Sequence, residues 1–304
     1  EEKTIRKLID SILNQSRVPD EIMILDSLSK DNTAKIIKSY RNKKIKLIEK
    51  KADMGTARNI CIKRTKYDII LVTDGGCVLD KEWCKEILKP FEKPEIDVVG
   101  GVFKPMWKNF FEKCQGVVVC KPVEKINPKK FIPSSRSLAF RKEVWKSVDG
   151  YPKHEIGGED TKFVINIIDN GYKIVINKKA VVYWGMRSPL KNFIRQYYLY
   201  AKGDVRSGNL PRMKAVLFLT VLFPLYFAAF LLSLLLLRNV FWALVVFPFL
   251  YFLYQGISVA VKIKDIRGIY YGFLFSFLKR FLYFSGIWAE LLSPKKDKYR
   301  NENY

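Results

Sequence analysis

The sequence predicts an α/β domain, a mostly parallel sheet doubly wound with helices, followed by a hairpin of membrane-spanning helices. Three observations carry this reading. Short apolar runs alternate with helix-like segments through residues 1–210. Two of those runs are continuously apolar rather than alternating and end in aspartate, at Asp26 and Asp74, as strands covered on both faces do. Beyond them lie two uncharged runs of 23 residues each, Ala215–Leu237 and Asn239–Val261, when about 20 suffice to cross a bilayer.

Taken in order, Glu21–Asp26 (EIMILD) is the first buried strand. Asp31–Tyr40 is a helix, with an Asp-Asn-Thr start and Ile36 and Ile37 on one face. Lys44–Lys50 alternates as a strand, Gly55–Thr65 is helical, and Asp68–Asp74 (DIILVTD) is the second buried strand. Lys81–Glu92 reads as helix, Asp97–Pro105 as extended chain, Ser137–Arg141 as a short strand and Arg141–Val148 as a helix. A helix from Asp160 to Asn170 stops at Gly171, and Lys173–Trp184 is a long strand. In such sheets ligands gather at the carboxyl ends of strands, so Asp26 and Asp74, each followed by small residues (Ser27; Gly75 and Gly76), mark one expected site on neighbouring strands.

Composition excludes several classes. The 304 residues are 49% hydrophobic, which rules out global disorder, and 54 Lys+Arg against 30 Asp+Glu give a net charge of +24. The five cysteines, Cys61, Cys77, Cys84, Cys114 and Cys120, form no CxxC pair, which excludes a disulfide scaffold and a zinc ribbon and fits reduced thiols in a cytosol-facing domain. A lone His154 excludes a His-rich metal site and makes a Ser-His-Asp triad improbable. The basic charge is spread along the chain without a nucleic-acid motif; a membrane-tethered domain handling phosphate-bearing ligands accounts for it with no nucleic-acid partner.

Residues 211–265 form the two-helix hairpin, kinked at Pro224 and Pro248. Only the junction at Arg238 and Asn239 joins the runs, so both outer ends lie on one side. Those ends carry Arg212, Lys214, Lys262, Lys264 and Arg267, and the tail adds Lys295, Lys296, Lys298 and Arg300. The positive-inside rule then places the α/β domain in the cytoplasm, as part of a multi-pass protein of the cell membrane, and no secretory signal leads the chain. Residues 266–304 hold a third aromatic segment, Ile266–Leu292, interrupted by Gly268, Gly272 and Gly286 and carrying Arg267, Lys279, Arg280 and Glu290. It reads as an interfacial helix pair in the headgroup layer, with a third span as the alternative. The preceding Pro189–Ser207 helix mixes Phe193, Tyr197, Tyr198 and Tyr200 with Lys191, Arg195 and Lys202, as a headgroup layer or an acceptor ledge would, with a helix packed on the sheet and its aromatics in the core as the equal alternative.

Several motifs resemble those of the family 2 glycosyltransferases with the GT-A fold, a Rossmann-like sheet. LDSLSKDNT (Leu25–Thr33) resembles the family's VDxxSxDNT; GTARN (Gly55–Asn59) its G-x-x-ARN helix; VTDGGC (Val72–Cys77) its TDxDC segment. SSRSLAFRKEVW (Ser134–Trp145), DGY (Asp149–Tyr151) and GED (Gly158–Asp160) follow in the family's order, so the resemblance covers residues 1–205. It implies that Asp26 binds the uracil or ribose of a nucleotide-sugar donor, that Arg58 with Asn59 lies near the diphosphate, and that Asp74 with Gly75 sits at the ribose and a Mg²⁺ or Mn²⁺ ion. It also implies that Asp160 is the general base toward the acceptor, with Glu159 shaping the acceptor site.

Four departures accompany the resemblance. The family begins with a strand, whereas Glu1 lies in the helix that follows it, so a first strand is missing from the expected domain. The second motif aspartate is Gly76, which weakens the expectation of a metal. Trp184 stands at a strand end that often carries histidine. Gln196 is followed by Tyr197, Tyr198, Leu199 and Tyr200 rather than by the QxxRW of processive synthases. The expectation is an inverting, non-processive transferase moving one sugar from a nucleotide-sugar donor to a lipid-linked or glycan acceptor. Its products would serve glycan or polysaccharide biosynthesis. The alternative is a non-catalytic, membrane-tethered nucleotide- or glycan-binding module derived from such an enzyme.

Overall fold

The computed structural model describes residues 1–153, 157–236 and 238–292; His154, Leu237 and the basic tail lie outside the described residues. The chain divides into two units, one of residues 1–106 and 121–185, the other of 107–120 and 186–292.

The first unit runs α1 (Ile5–Leu13), β1 (Ile22–Asp26), α2 (Thr33–Ser39), β2 (Ile45–Glu49), α3 (Met54–Arg64), β3 (Ile69–Val72), β4 (Cys77–Leu79), α4 (Trp83–Leu88) and β5 (Val98–Met106). The second unit contributes α5 (Phe110–Val119). The first then resumes with β6 (Leu138–Arg141), α6 (Lys142–Ser147), α7 (Glu159–Asp169) and β7 (Ile174–Gly185). β1 and β2 pair in parallel, from Ile22 opposite Ile45 to Asp26 opposite Glu49, with α2 as the crossover. The other five strands form a sheet in the order β3-β6-β5-β7-β4.

That sheet is mixed, where a mostly parallel one is expected from sequence: β3 with β6, β6 with β5 and β4 with β7 are antiparallel, and β5 with β7 is parallel. The reason is that continuous apolarity reports burial on both faces and not strand direction. Leu138, Ala139 and Phe140 of β6 are wholly buried because β6 lies between β3 and β5. β1 and β3 also belong to different ladders, so the neighbouring-strand arrangement expected for Asp26 and Asp74 is not formed. Segments without a clear period, β4 and α5, carry no expectation from sequence, β4 because three residues are too few to display one.

One core supports the region of interest. Ile62 of α3, Ile70 and Val72 of β3, Val98 of β5, Leu138 and Phe140 of β6 and Val144 of α6 pack with Tyr151, Phe163 and Ile167. Tyr151 stacks on Phe163 at 4.0 Å between centroids, and Phe140 meets Phe163 edge-on at 5.2 Å. The phenol and the two rings lock the start of α7 against the sheet.

The second unit is helical: α5, α8 (Leu190–Arg206), α9 (Lys214–Leu236), α10 (Arg238–Ile263) and α11 (Gly268–Leu292). Phe193 and Tyr197 of α8 are buried with Cys114, Val259, Ile263 and Phe275, so these two aromatics serve the helical core rather than a headgroup layer. α11 is one unbroken helix of 25 residues, not a pair. Its glycines mark close approach: a Cβ at Gly272 would stand 2.7 Å from the Cβ of Val259 in α10. Glu290 is buried between Lys202 at 3.2 Å and Arg206 at 2.7 Å, tying α11 to α8. α9 and α10 differ from both. Their most apolar windows, Val216–Ser233 and Val240–Ile263, have mean hydropathy 2.3 and 1.9, yet only 11% and 17% of each is buried. Core helices of soluble proteins bury such surface; these leave residues such as Phe218 and Phe247 exposed.

Candidate active site

Asp53 caps α3, its carboxylate accepting from the Thr56 N–H at 2.8 Å and the Thr56 hydroxyl at 2.6 Å. One turn further on, Arg58 becomes the hub of the site. Its Nη2 donates to Asp74 Oδ1 at 2.8 Å, its Nη1 donates to Glu159 Oε1 at 2.7 Å, and its guanidinium carbon lies 5.3 Å over the Tyr151 ring. Three segments far apart in sequence are thereby joined: α3, the turn after β3, and the start of α7. Asp74 and Gly75 lie in that turn, which the Cys77 N–H closes onto the Asp74 carbonyl at 3.0 Å.

α7 starts at Gly158, whose φ of +83° lies in the left-handed region that glycine tolerates. Glu159 and Asp160 then fill its first turn, where the helix dipole favours anions. Glu159 is 3% exposed and faces Arg58. Asp160 is half-buried: one oxygen accepts from the Thr161 N–H at 2.8 Å and the other from the Ser135 N–H at 3.4 Å. The Ser135 hydroxyl shares a 2.9 Å hydrogen bond with the Tyr151 phenol. Asn59 holds this side from below, accepting from Trp145 Nε1 at 2.8 Å and the Tyr151 N–H at 2.9 Å and donating to the Tyr151 carbonyl at 2.7 Å.

Burial works against the Arg58 charge, but Asp74, Tyr151, Glu159 and Asp160 outweigh it, and the guanidinium pKa lies above its ordinary value. Burial pushes the Glu159 carboxyl up despite the opposing pull of Arg58. Burial likewise raises the Tyr151 phenol. Four of the thiols are held far from reactivity by burial, Cys61 and Cys114 up to about 11 and Cys77 and Cys84 up to about 12, and all five cysteines are free.

The structure thus brings Arg58, Asn59, Asp74, Gly75, Glu159 and Asp160 together. Asp26 is tied to its own turn: it is buried at the end of β1 and accepts from the Ser29 N–H at 2.9 Å. Ser27 connects that turn to the cap of α3, donating to the Ala52 carbonyl at 2.7 Å and accepting from the Ala52 N–H at 2.9 Å. Tyr151, Ser135 and Arg136 were not singled out from sequence, although each lies in a matched motif; their packing roles leave no periodic signal. Arg136 has its guanidinium carbon 4.2 Å over the Trp184 ring and its Nε 4.0 Å from Asp74 Oδ2.

A divalent cation at Asp74 is poorly served by these residues. One Asp74 oxygen is ion-paired with Arg58, the other faces Arg136, and Gly76 supplies no second carboxylate. Among the described residues, no cluster of three or more His, Cys, Asp or Glu side chains is arranged to hold a metal.

A profile described as Glycosyl transferase family 2 matches residues 1–136, and one described as Glycosyl transferase family group 2 matches residues 69–284. The chain is 29% identical over 188 residues to the O-antigen chain rhamnosyltransferase RfbN of Salmonella typhimurium, covering 58% of this chain and 60% of that protein. It is 26% identical over 231 residues to a Methanococcus voltae protein named dolichyl N-acetyl-alpha-D-glucosaminyl phosphate 3-beta-D-2,3-diacetamido-2,3-dideoxy-beta-D-glucuronosyltransferase, covering 68% of this chain and 72% of that one. Among solved structures, the mannosyltransferase PcManGT from Pyrobaculum calidifontis, in complex with GDP-Man and Mn²⁺, superposes with a TM-score of 0.62 over 97% of this chain and 85% of that one, at 15% identity. That likeness gives the fold, GT-A, and with the profile matches and the shared motifs the chain belongs to the family 2 glycosyltransferases.

Proposed function

We propose that this chain is an inverting glycosyltransferase that moves a single sugar from a nucleotide-sugar donor to a lipid-linked or glycan acceptor at the cytoplasmic face of the membrane. The observation that carries it is the division of labour between two adjacent carboxylates. Glu159 is buried and ion-paired, so it holds Arg58 and the donor side in place. Asp160, one residue on, is half-buried and anchored by N–H groups of Ser135 and Thr161, in reach of an incoming hydroxyl. In this reading Asp160 takes the acceptor hydroxyl proton, the freed oxygen attacks the anomeric carbon, and the bond to the diphosphate oxygen breaks, so that the nucleoside diphosphate leaves with the bonding pair. A single displacement of this kind inverts the anomeric centre. Asp26 and Asp74 bind the nucleoside end of the donor.

Support for a lipid-linked or polymer acceptor comes from the names of the relatives, an O-antigen chain transferase and a dolichyl-linked sugar transferase. The exposed apolar surfaces of α9 and α10, bracketed by Arg212, Lys214, Lys262 and Lys264, support a membrane anchor with the transferase domain in the cytoplasm. Replacement of Asp160 by asparagine tests the chemistry. The expected result is a loss of kcat of about 10²–10⁴-fold with nucleotide binding nearly intact. Full turnover in Asp160→Asn removes the base and points to an acceptor that is already an anion. Nucleotide binding without any transfer by the unaltered chain indicates a binding module instead.

A further inference from the structure

The motif that resembles a metal-binding Asp-x-Asp ends here in Gly76, and the backbone does not demand it. A Cβ built at Gly76 meets nothing within 4 Å, so the backbone leaves room for a side chain to start there. No clash at its Cβ accounts for the missing carboxylate, and two guanidinia stand against the neighbouring Asp74. Arg58 is already balanced by two carboxylates, Asp74 and Glu159. Arg136 approaches the other side of Asp74, with Nε 4.0 Å from Oδ2. Its plane is braced by rings: the guanidinium carbon lies 4.2 Å over Trp184 and 5.4 Å over Phe103, and those rings meet edge-on at 5.7 Å. Such bracing removes the entropic cost of ordering a long side chain, and a planar fork of donors matches phosphate oxygens.

The loop carrying Arg136 is itself rigidly placed. Ser135 N–H reaches Asp160, the Ser135 hydroxyl meets Tyr151, and Trp83 Nε1 donates to the Ser137 hydroxyl at 2.8 Å. Arg136 therefore stands on one short segment between the carboxylate of the donor side and that of the acceptor side. A diphosphate leaving from beside Asp74 would find a braced cation there, while the site offers a metal ion a single carboxylate already facing two guanidinia.

We propose that Arg136 is the side chain that meets the diphosphate of the nucleotide, in the place of a carboxylate-held divalent cation. This rests on the donor site proposed above. Binding then follows Arg136 rather than metal. The test is calorimetric titration of the chain in detergent with UDP, GDP and dTDP, each in EDTA and in Mn²⁺. The chains to compare are the unaltered one, Arg136→Met, Arg136→Lys and Gly76→Asp, with thermal unfolding run beside them to confirm folding. The expected result is a nucleotide that binds in EDTA within about threefold of its affinity in Mn²⁺. Arg136→Met should weaken it about 10- to 100-fold, as loss of a hydrogen bond to a charged group does, and Arg136→Lys should fall between. Gly76→Asp should make binding depend on Mn²⁺. Nucleotide binding only with Mn²⁺, or unchanged affinity in a folded Arg136→Met, overturns the role of Arg136 and leaves the donor site standing. No binding of any nucleotide under either condition overturns the donor site and this inference together.

Discussion

Replacing Arg58 by methionine tests the hub of the site more directly than any other change. The substitution keeps most of the side-chain volume and removes one cation shared by two acids. Asp74, with a third of its side chain exposed, is rehydrated at little cost. Glu159, 4% exposed at its side chain, is not. A buried charge that loses its partner costs about 3–5 kcal/mol, and the lower end applies because Glu159 can protonate. For a unit of this size that is a fall in the unfolding midpoint of about 6–12 °C. The pH dependence carries a definite sign. Burial already holds the Glu159 carboxyl above its ordinary 4.5. A carboxyl raised in the folded state contributes most below its unfolded pKa, and that contribution is lost as pH rises through the folded value. Removing Arg58 raises the folded value further, so the deficit of the variant grows as pH rises above the ordinary carboxylate range and narrows as pH falls toward it. Tryptophan fluorescence during thermal unfolding of the full chain in detergent reads both effects, since Trp145 is hydrogen-bonded to Asn59 beside the hub. Adding Glu159→Gln to Arg58→Met should recover most of the loss. A double variant no more stable than the single one, or a deficit independent of pH, refutes the reasoning.

Three further outcomes follow from the same geometry. Asn59→Ala removes three hydrogen bonds that clamp residues 145–151, and the stranded Trp145 and Tyr151 groups should lower stability by about 2–4 kcal/mol, read as a shift in the denaturation midpoint. The raised thiols at Cys61, Cys77, Cys84 and Cys114 should resist iodoacetamide at pH 8 in the folded chain and react fully once it is unfolded; fast labelling of the folded chain by mass spectrometry contradicts their burial. A cysteine at Asn239, at the junction of the apolar runs, should be labelled by an impermeant maleimide from the outer side of intact cells; labelling only from the cytoplasmic side places the transferase domain outside, away from its donor, and removes the proposed topology.

Much of the molecule is readable from the chain alone, and the boundary is physical. Helices such as Asp160–Asn170 and strands such as Asp68–Asp74 announce themselves because capping residues, glycine stops and buried apolar runs are local properties of adjacent residues. The two 23-residue apolar runs are legible for the same reason: their length and lack of charge need no partner to be interpreted. The candidate site residues Arg58, Asn59, Asp74, Glu159 and Asp160 are legible through ordered motifs. Strand direction and ladder membership are not, because a continuous apolar run looks the same whichever way its neighbour points; hence a mixed sheet where a mostly parallel one was expected, and Asp26 on a separate ladder from Asp74. Phe193 and Tyr197 read as headgroup aromatics in isolation and become core only once Phe275 of a distant helix packs on them. Nor does spacing reveal that Arg58 is shared between Asp74 and Glu159, 16 and 101 residues away, or that Arg136 leans on Trp184. Such pairings depend on how separate segments meet in space, and that meeting is set by the packing of Tyr151, Phe140 and Phe163 beneath them.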